Sequence, residues 1–431
     1  MPVKVIFSLE KMMEEFKKFA EMEGHPYQKS SAEIMKRASQ FPQLKEGITD
    51  MAELEKYEEV VKMLLRPLFY DPLQNNEIKA VLMPFTFQGF HPTKRFANII
   101  KNAGANFEFN LVNYDEEIVY LYACSFILAQ YYQKKIDFAR PIYLDIPDKK
   151  TGQMRHYRGL INADFTEIIK TDAAPEITQS DIEELLQNAL NIDIWKKKFP
   201  PNSYIFRGFG IVNLFDVTQD TIITNIRSLF LRSDDRVFED FRESLKKLMS
   251  IDDLMVGYST YDLEMKQSLG TFFNRGTESL FLKENERVNY SQIFCEGIQS
   301  SVMQNVELIA ISDVKKYGEN NNKNHFYQRL MEKDIQSLIL MPIKIGTKYL
   351  QIIELGSTEK YKLNALNANK LKDIIPFIKI AAQRYIEERL NILESTIQEN
   401  YTSIHPTVKW RFDKASVWFN RQKTDGIESP I

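Results

Sequence analysis

Positions 306–358 read VELIAISDVKKYGENNNKNHFYQRLMEKDIQSLILMPIKIGTKYLQIIELGST, and this stretch decides the fold. An apolar run ends in Ser312-Asp313. A polar loop then leads to a short helical segment, and two apolar runs follow, joined by Gly346-Thr347. That order predicts an α/β unit wrapped round a small pocket. Ser337 to Ile345 is almost continuously apolar, as in a central strand covered on both faces. Pro342 lies inside it and has no N–H to give a ladder, so it predicts a bulge or an edge position. In the next run Leu350 and Ile352 share one face, and Ile353 and Leu355 share the other. Gln351 and Glu354 interrupt the two faces, which predicts that one side meets solvent or a polar cavity.

Upstream, residues 237–249 carry Phe238, Phe241, Leu245 and Leu248 at helical core spacing. Two strand patterns follow, LMVGYSTY and GTFFNRGTESLFL, and residues 290–304 read as helical. Downstream, residues 366–401 hold the longest helical pattern in the chain. Pro376 in it fits a helix start after Asp373 or a kink. Ile386, Leu390, Leu393 and Ile397 step by four, three and four, a coiled-coil rhythm.

Farther out, residues 9–23, 52–66, 92–103 and 116–135 read as helices, which predicts a mainly helical region over 1–139. Residues 140–232 change texture. PIYLDIP and RHYRGLINADFTEII are β-branched and aromatic, as in strands. Residues 180–199 predict one helix with Ser180 as N-cap and Glu183 completing a capping box. SYIFRGFGIVNLFDVT predicts a long strand or a hairpin, and Ser233-Asp234-Asp235 a boundary.

The 431 residues predict two or three domains, since ~100–200 residues per domain is usual. A net charge of -3 lacks the basic excess that nucleic acid demands. No apolar run reaches the ~20 residues of a bilayer span. The two cysteines, Cys124 and Cys295, lie too far apart in sequence to suggest a disulfide framework or a cysteine zinc site. Five scattered histidines offer no metal pair at helical or strand spacing, so the metal expectation is none. No phosphate-binding loop, HExxH or GxSxG occurs, and no catalytic residue is assigned. Together these predict a cytoplasmic protein.

The order helix, strand, strand, helix, strand, loop and helix, strand, hairpin strand, long helix over 236–395 resembles a GAF domain. LIAISDV at 308–314 is similar to the family's strand ending in Asp, and residues 334–357 to its signature hairpin. The resemblance implies an antiparallel sheet with helices on one face and a ligand or partner pocket on the other. It implies a regulatory role, with no reaction. The ligand does not carry over. Cys295, in IFCEGIQ, lacks the bilin-attachment context of phytochromes. The cyclic-nucleotide motif of other members has no counterpart here, and the segment has one cysteine where the free-methionine-sulfoxide reductases need several. The cofactor is therefore left open. Residues 203–222 resemble the end of a PAS domain, and 402–412 resemble the link to a following module in phytochrome-like proteins.

The candidate ligand-binding residues are Asp313, Asn324, Phe326 and Tyr327. Asp313 either lines the pocket or caps the next turn. Phe326 and Tyr327 either stack on a planar ligand from a lid helix or pack that helix on the fold. His405-Pro406 follows the long helix as a phosphoacceptor histidine would, or is a plain turn.

The resulting expectation is an α+β multidomain sensor. Its parts are a helical region (1–139), a small α+β region resembling PAS (140–232), a GAF-like domain (233–395) and an output-helix end with linker (396–431), cut from a longer chain. A small molecule or partner in the pocket biases a homodimer built through the 366–401 helix, with no nucleic acid and no membrane span. The alternatives are a ligandless interaction module, or a phosphotransfer or redox enzyme using His405 or Cys295.

Overall fold

The computed structural model describes residues 1–83, 85, 88–109, 111–112, 114–134, 141–232, 236–269, 278–283, 286–321 and 324–400. His405, the 402–412 link, Ser233-Asp234-Asp235 and residues 270–277 of the second strand pattern lie outside the described residues. The chain forms two compact α+β units, Met1–Thr218 and Gln219–Ile431.

The first unit holds β1 (Val3–Ile6), β2 (Lys79–Met83), β3 (Gln88–Phe90), β4 (Leu111–Val112), β5 (Ile142–Asp148), β6 (Gln153–Asn162), β7 (Thr166–Lys170), β8 (Tyr204–Gly208) and β9 (Gly210–Asp216). Six of them make an antiparallel sheet in the order β3-β2-β9-β6-β5-β4. The other three form β1-β8-β7, with β1 parallel to β8. The expected boundary at 139 falls outside the described residues, and strands from both sides of it share one sheet. The expected helices over Glu10–Glu21, Glu58–Leu65, Lys94–Ala103 and Glu116–Gln130 are present. Between them β3 and β4 have three and two residues, too few to show a strand period, and β2 is a run of five.

Two local expectations are corrected. The helix predicted over 180–199 is two helices, Gln179–Gln187 and Ile192–Lys198. Its N-cap is Thr178, not Ser180, and Asp181 completes the capping box. The shorter Asp side chain serves there as Glu would, accepting from the Thr178 N–H at 2.8 Å. The predicted strand or hairpin over 203–218 is neither. β8 and β9 belong to different sheets, with Phe209 alone between them. Gly208 makes this crossing at φ +133°, and a Cβ there would lie 2.1 Å from the Phe165 carbonyl oxygen.

The second unit follows the element order expected from the GAF resemblance. After the Val237–Met249 helix come β10 (Met255–Asp262), β11 (Gln267–Ser268), β12 (Ile309–Ile311), β13 (Ser337–Ile345) and β14 (Tyr349–Ser357). The sheet is antiparallel in the order β11-β10-β14-β13-β12. Pro342 needs no bulge. The β13–β14 register is unbroken, and β12 pairs only with Leu338–Leu340, so Pro342 stands beyond the end of that neighbour. Pro376 falls in the first turn of the Ile375–Asn400 helix, where a missing N–H costs nothing.

Side-chain alternation sends this sheet into two cores. Ile339, Met341, Ile343, Ile353 and Leu355 join Phe241, Leu245, Ile378, Ala382 and Ile386 on one face. Leu338, Leu340, Leu350 and Ile352 join Phe281, Phe294, Phe326 and Leu330 on the other. Helices therefore cover both faces.

Candidate functional site

The face on which the resemblance puts a pocket is built from β10, β14 and β13. Register places Gly257 opposite Glu354, Ser259 opposite Ile352 and Tyr261 opposite Leu350. Over this floor lie Tyr290–Ile293, Glu296–Ile298, a π-helical turn at Gln299–Gln304, and the helices Val314–Asn320 and His325–Glu332.

Aromatic rings fill the middle. Phe281, Phe294 and Phe326 form a triangle of edge-to-face contacts with centroids 5.0–5.4 Å apart. Tyr261 approaches Phe294 at 6.1 Å and Tyr317 approaches Phe326 at 6.0 Å. Arg329 holds the covering segment down. It forks onto Glu286 with two bonds of 2.8 Å and donates to the Phe281 carbonyl at 3.3 Å. The guanidinium keeps the Glu286 carboxyl below its ordinary range.

A polar cluster sits beside these rings, and it centres on Glu354. Its side chain is fully buried. The Ser259 hydroxyl donates to it at 2.6 Å, the Ser279 hydroxyl approaches both oxygens at 3.0 and 2.9 Å, and the Leu280 N–H donates at 2.5 Å. Gly257 makes the room: a Cβ there would come 2.6 Å from the carboxylate and 2.7 Å from Leu280. Burial pushes the Glu354 carboxyl up to about 7, against the pull of Ser259, Leu280, Ser279 and Lys333. Burial also raises the Tyr261 phenol, with the Glu354 charge adding to it.

The residues expected to bind ligand are placed as follows. Asp313 caps the Val314–Asn320 helix, accepting from the Lys316 N–H at 3.1 Å. It pairs with Lys360 at 2.9 Å, and that contact holds its carboxyl below the ordinary range. Asn324 caps the His325–Glu332 helix, accepting from the Tyr327 N–H at 2.9 Å, and donates to the Tyr317 hydroxyl at 3.1 Å. Phe326 is fully buried in the aromatic triangle. Tyr327 is half-buried, its ring lying where a Cβ on Gly318 would be 2.4 Å away. Asn324 and Phe326 thus meet through Tyr317, while Asp313 turns toward Lys360. Cys295 accepts a hydrogen bond from the Tyr317 hydroxyl at 3.3 Å. Burial, then this bond, raises the Tyr317 phenol.

Neither interrupting residue of β14 meets solvent. Gln351 is fully buried on the opposite face, its side-chain oxygen accepting from the Tyr258 hydroxyl. Ser259 and Ser279, which make the Glu354 cluster, carry no sequence signal of that role; only the glutamate inside an apolar run did. Among the described residues no group of three or more His, Cys, Asp or Glu side chains could hold a metal ion. Among them, too, no helix is long and apolar enough to cross a membrane.

No protein-family model matches the sequence, and no curated protein matches it. Among solved structures, the phycoerythrobilin-bound GAF domain of a cyanobacterial phytochrome aligns at 11% identity and a TM-score of 0.29, over 39% of this chain and 96% of that one. The substrate complex of fRMsr from Staphylococcus aureus aligns at 12% identity and a TM-score of 0.26, over 38% and 95%. The chromophore-binding domain of a bacteriophytochrome from R. palustris aligns at 9% identity and a TM-score of 0.29, over 74% and 99%. Likenesses this distant assign neither a family nor a ligand to the chain.

Proposed function

We propose that this chain is a cytoplasmic sensory or regulatory protein that works by binding and catalyses no reaction. Its GAF-like unit takes up a small molecule or a partner and passes that state to the Ile375–Asn400 helix, which pairs with the same helix of a second copy. The observation that carries this reading is the two-faced strand β14. Glu354 lies on one face in its polar cluster. Its chain neighbours Ile353 and Leu355 lie on the other, in one core with Ile378, Ala382 and Ile386 of the helix. Packed side chains thus join β14 beside Glu354 to the helix, a contiguous route for coupling.

The first part of the helix is used by the sheet: Ile378, Ala382, Tyr385 and Ile386 are buried. Leu390, the next member of the stripe, is 37% exposed. The test is oxidative crosslinking of a Leu390→Cys chain. A covalent dimer is expected, absent in the parent with Cys124 and Cys295 alone. A monomer by sedimentation that also fails to crosslink would sink the dimeric output. A thermal-shift screen of metabolites, repeated on Glu354→Gln, tests ligand sensing.

The second reading is an interaction module without a ligand. The aromatic triangle favours it, since those three rings occupy the middle of the covered face. A screen with no hit, together with partner capture that depends on the exposed helix face, would select it.

A further inference from the structure

A cleft of about 600 Å³ opens beside β10, its wall including Ser279 and Leu280 next to Phe281 of the aromatic triangle. That volume is in the range of small-molecule sites, ~300–1,000 Å³. Among the described residues β11 pairs with Tyr261 and Asp262, at the far end of β10 from the cleft. The Tyr258 N–H reaches the Glu278 carbonyl at 3.3 Å, and Leu254, Met255 and Val256 line the cleft. Phe238 and Leu280 complete the apolar wall. Arg242 and Lys246 reach it from the Val237–Met249 helix, one turn apart, and Lys333 from beyond the His325–Glu332 helix.

The charges differ in how they are matched. Glu239 and Glu278 also line the cleft. Arg242 pairs with Glu239, and Lys246 pairs with Glu243 at 3.0 Å. Among the described residues no carboxylate lies within ion-pair distance of Lys333, whose ammonium donates to the Ser279 carbonyl at 2.9 Å and whose charge acts at longer range on the buried Glu354. With Arg242 and Lys246 already paired and Glu278 also at the border, Lys333 beside the apolar wall is the cation left to meet the negative head of a molecule with an apolar body. We propose that this cleft binds an amphipathic organic anion, its body on Phe238, Val256 and Leu280 and its head on Lys333, with Arg242 and Lys246 nearby. Ser279 links this site to the polar cluster, since its carbonyl holds Lys333 and its hydroxyl holds Glu354. A head group that draws Lys333 away thus loosens the segment over Glu354.

The test is calorimetric titration of the full chain with decanoate, alongside decyltrimethylammonium as a cation of the same tail. Decanoate is expected to bind and the cation to bind more weakly. Lys333→Glu is expected to weaken decanoate about tenfold, ~1.4 kcal/mol. Arg242→Gln should weaken it less and melt like the parent; Lys333→Glu, which loses the bond to the Ser279 carbonyl, should melt lower and is titrated well below its midpoint. Equal or tighter binding of the cation overturns the proposal. So does no decanoate binding at millimolar concentration, or decanoate affinity unchanged in Lys333→Glu. Dimer crosslinking at Leu390 is read without any ligand, so a failed dimer and a failed cleft are told apart.

Discussion

At the scale of the residue, Glu354 sets a pH dependence. Its folded value is raised to about 7 from the ordinary 4.5, so between those values the native state holds a proton that the unfolded chain has released. Stability from this group is therefore full below about 4.5 and is lost as pH rises through about 7. The window corresponds to on the order of 3 kcal/mol. Urea unfolding at pH 5 and pH 8 should show this loss in the parent and a smaller one in Glu354→Gln. The same slope in both would remove Glu354 as its source. Phe326→Ala truncates a fully buried ring and should cost about 3–5 kcal/mol in the same assay. A loss under about 1 kcal/mol would mean that the triangle repacks. Much at this scale escaped the sequence. Asp313 carried two readings, pocket or cap, because a short polar side chain before a helix suits both; Asn324 was read for the pocket alone, and it caps a helix. Glu354 stood out as a charge in an apolar run, but its partners Ser259 and Ser279 are 95 and 75 positions away.

At the scale of the element, periodicity was legible where runs were long. The Val237–Met249 helix, β13, β14 and the first turn of the Ile375–Asn400 helix stand close to where their patterns put them. Short pieces were not legible: β3 has three residues and β4 two, and neither can display alternation. Nor was the crossing between β8 and β9, since each strand has ordinary strand composition and only Gly208 marks the break. Gly208→Ala should destabilise the first unit by at least ~1–3 kcal/mol, because the new Cβ meets backbone and the φ is unfavourable. Circular dichroism melting checks this; an unchanged midpoint would show that the crossing relaxes.

At the scale of the whole molecule, the hydrophobic clusters respect the two compact units. Three draw only on positions 3–214 and two only on positions 222–386. Residues 219–400 expressed alone should therefore melt cooperatively with mixed helix and strand dichroism. A broad, non-cooperative melt would mean that this unit needs the rest of the chain. The class, α+β with several parts, was legible from composition and pattern. The grouping of the first 218 residues was not, because the strands that unite them are separated by long helical stretches. Pairing over such distances leaves no local mark on a sequence.

The crossing at Gly208 also dictates an order of assembly. β9 stands between β2 and β6, and β8 between β1 and β7. Both sheets of the first unit therefore lack their central strand until residues 204–216 have left the ribosome. Up to that point the earlier strands have open edges and exposed apolar faces, and a single late segment closes both at once. A nascent chain arrested at residue 200 would present those edges to chaperones, and the next sixteen residues would withdraw them.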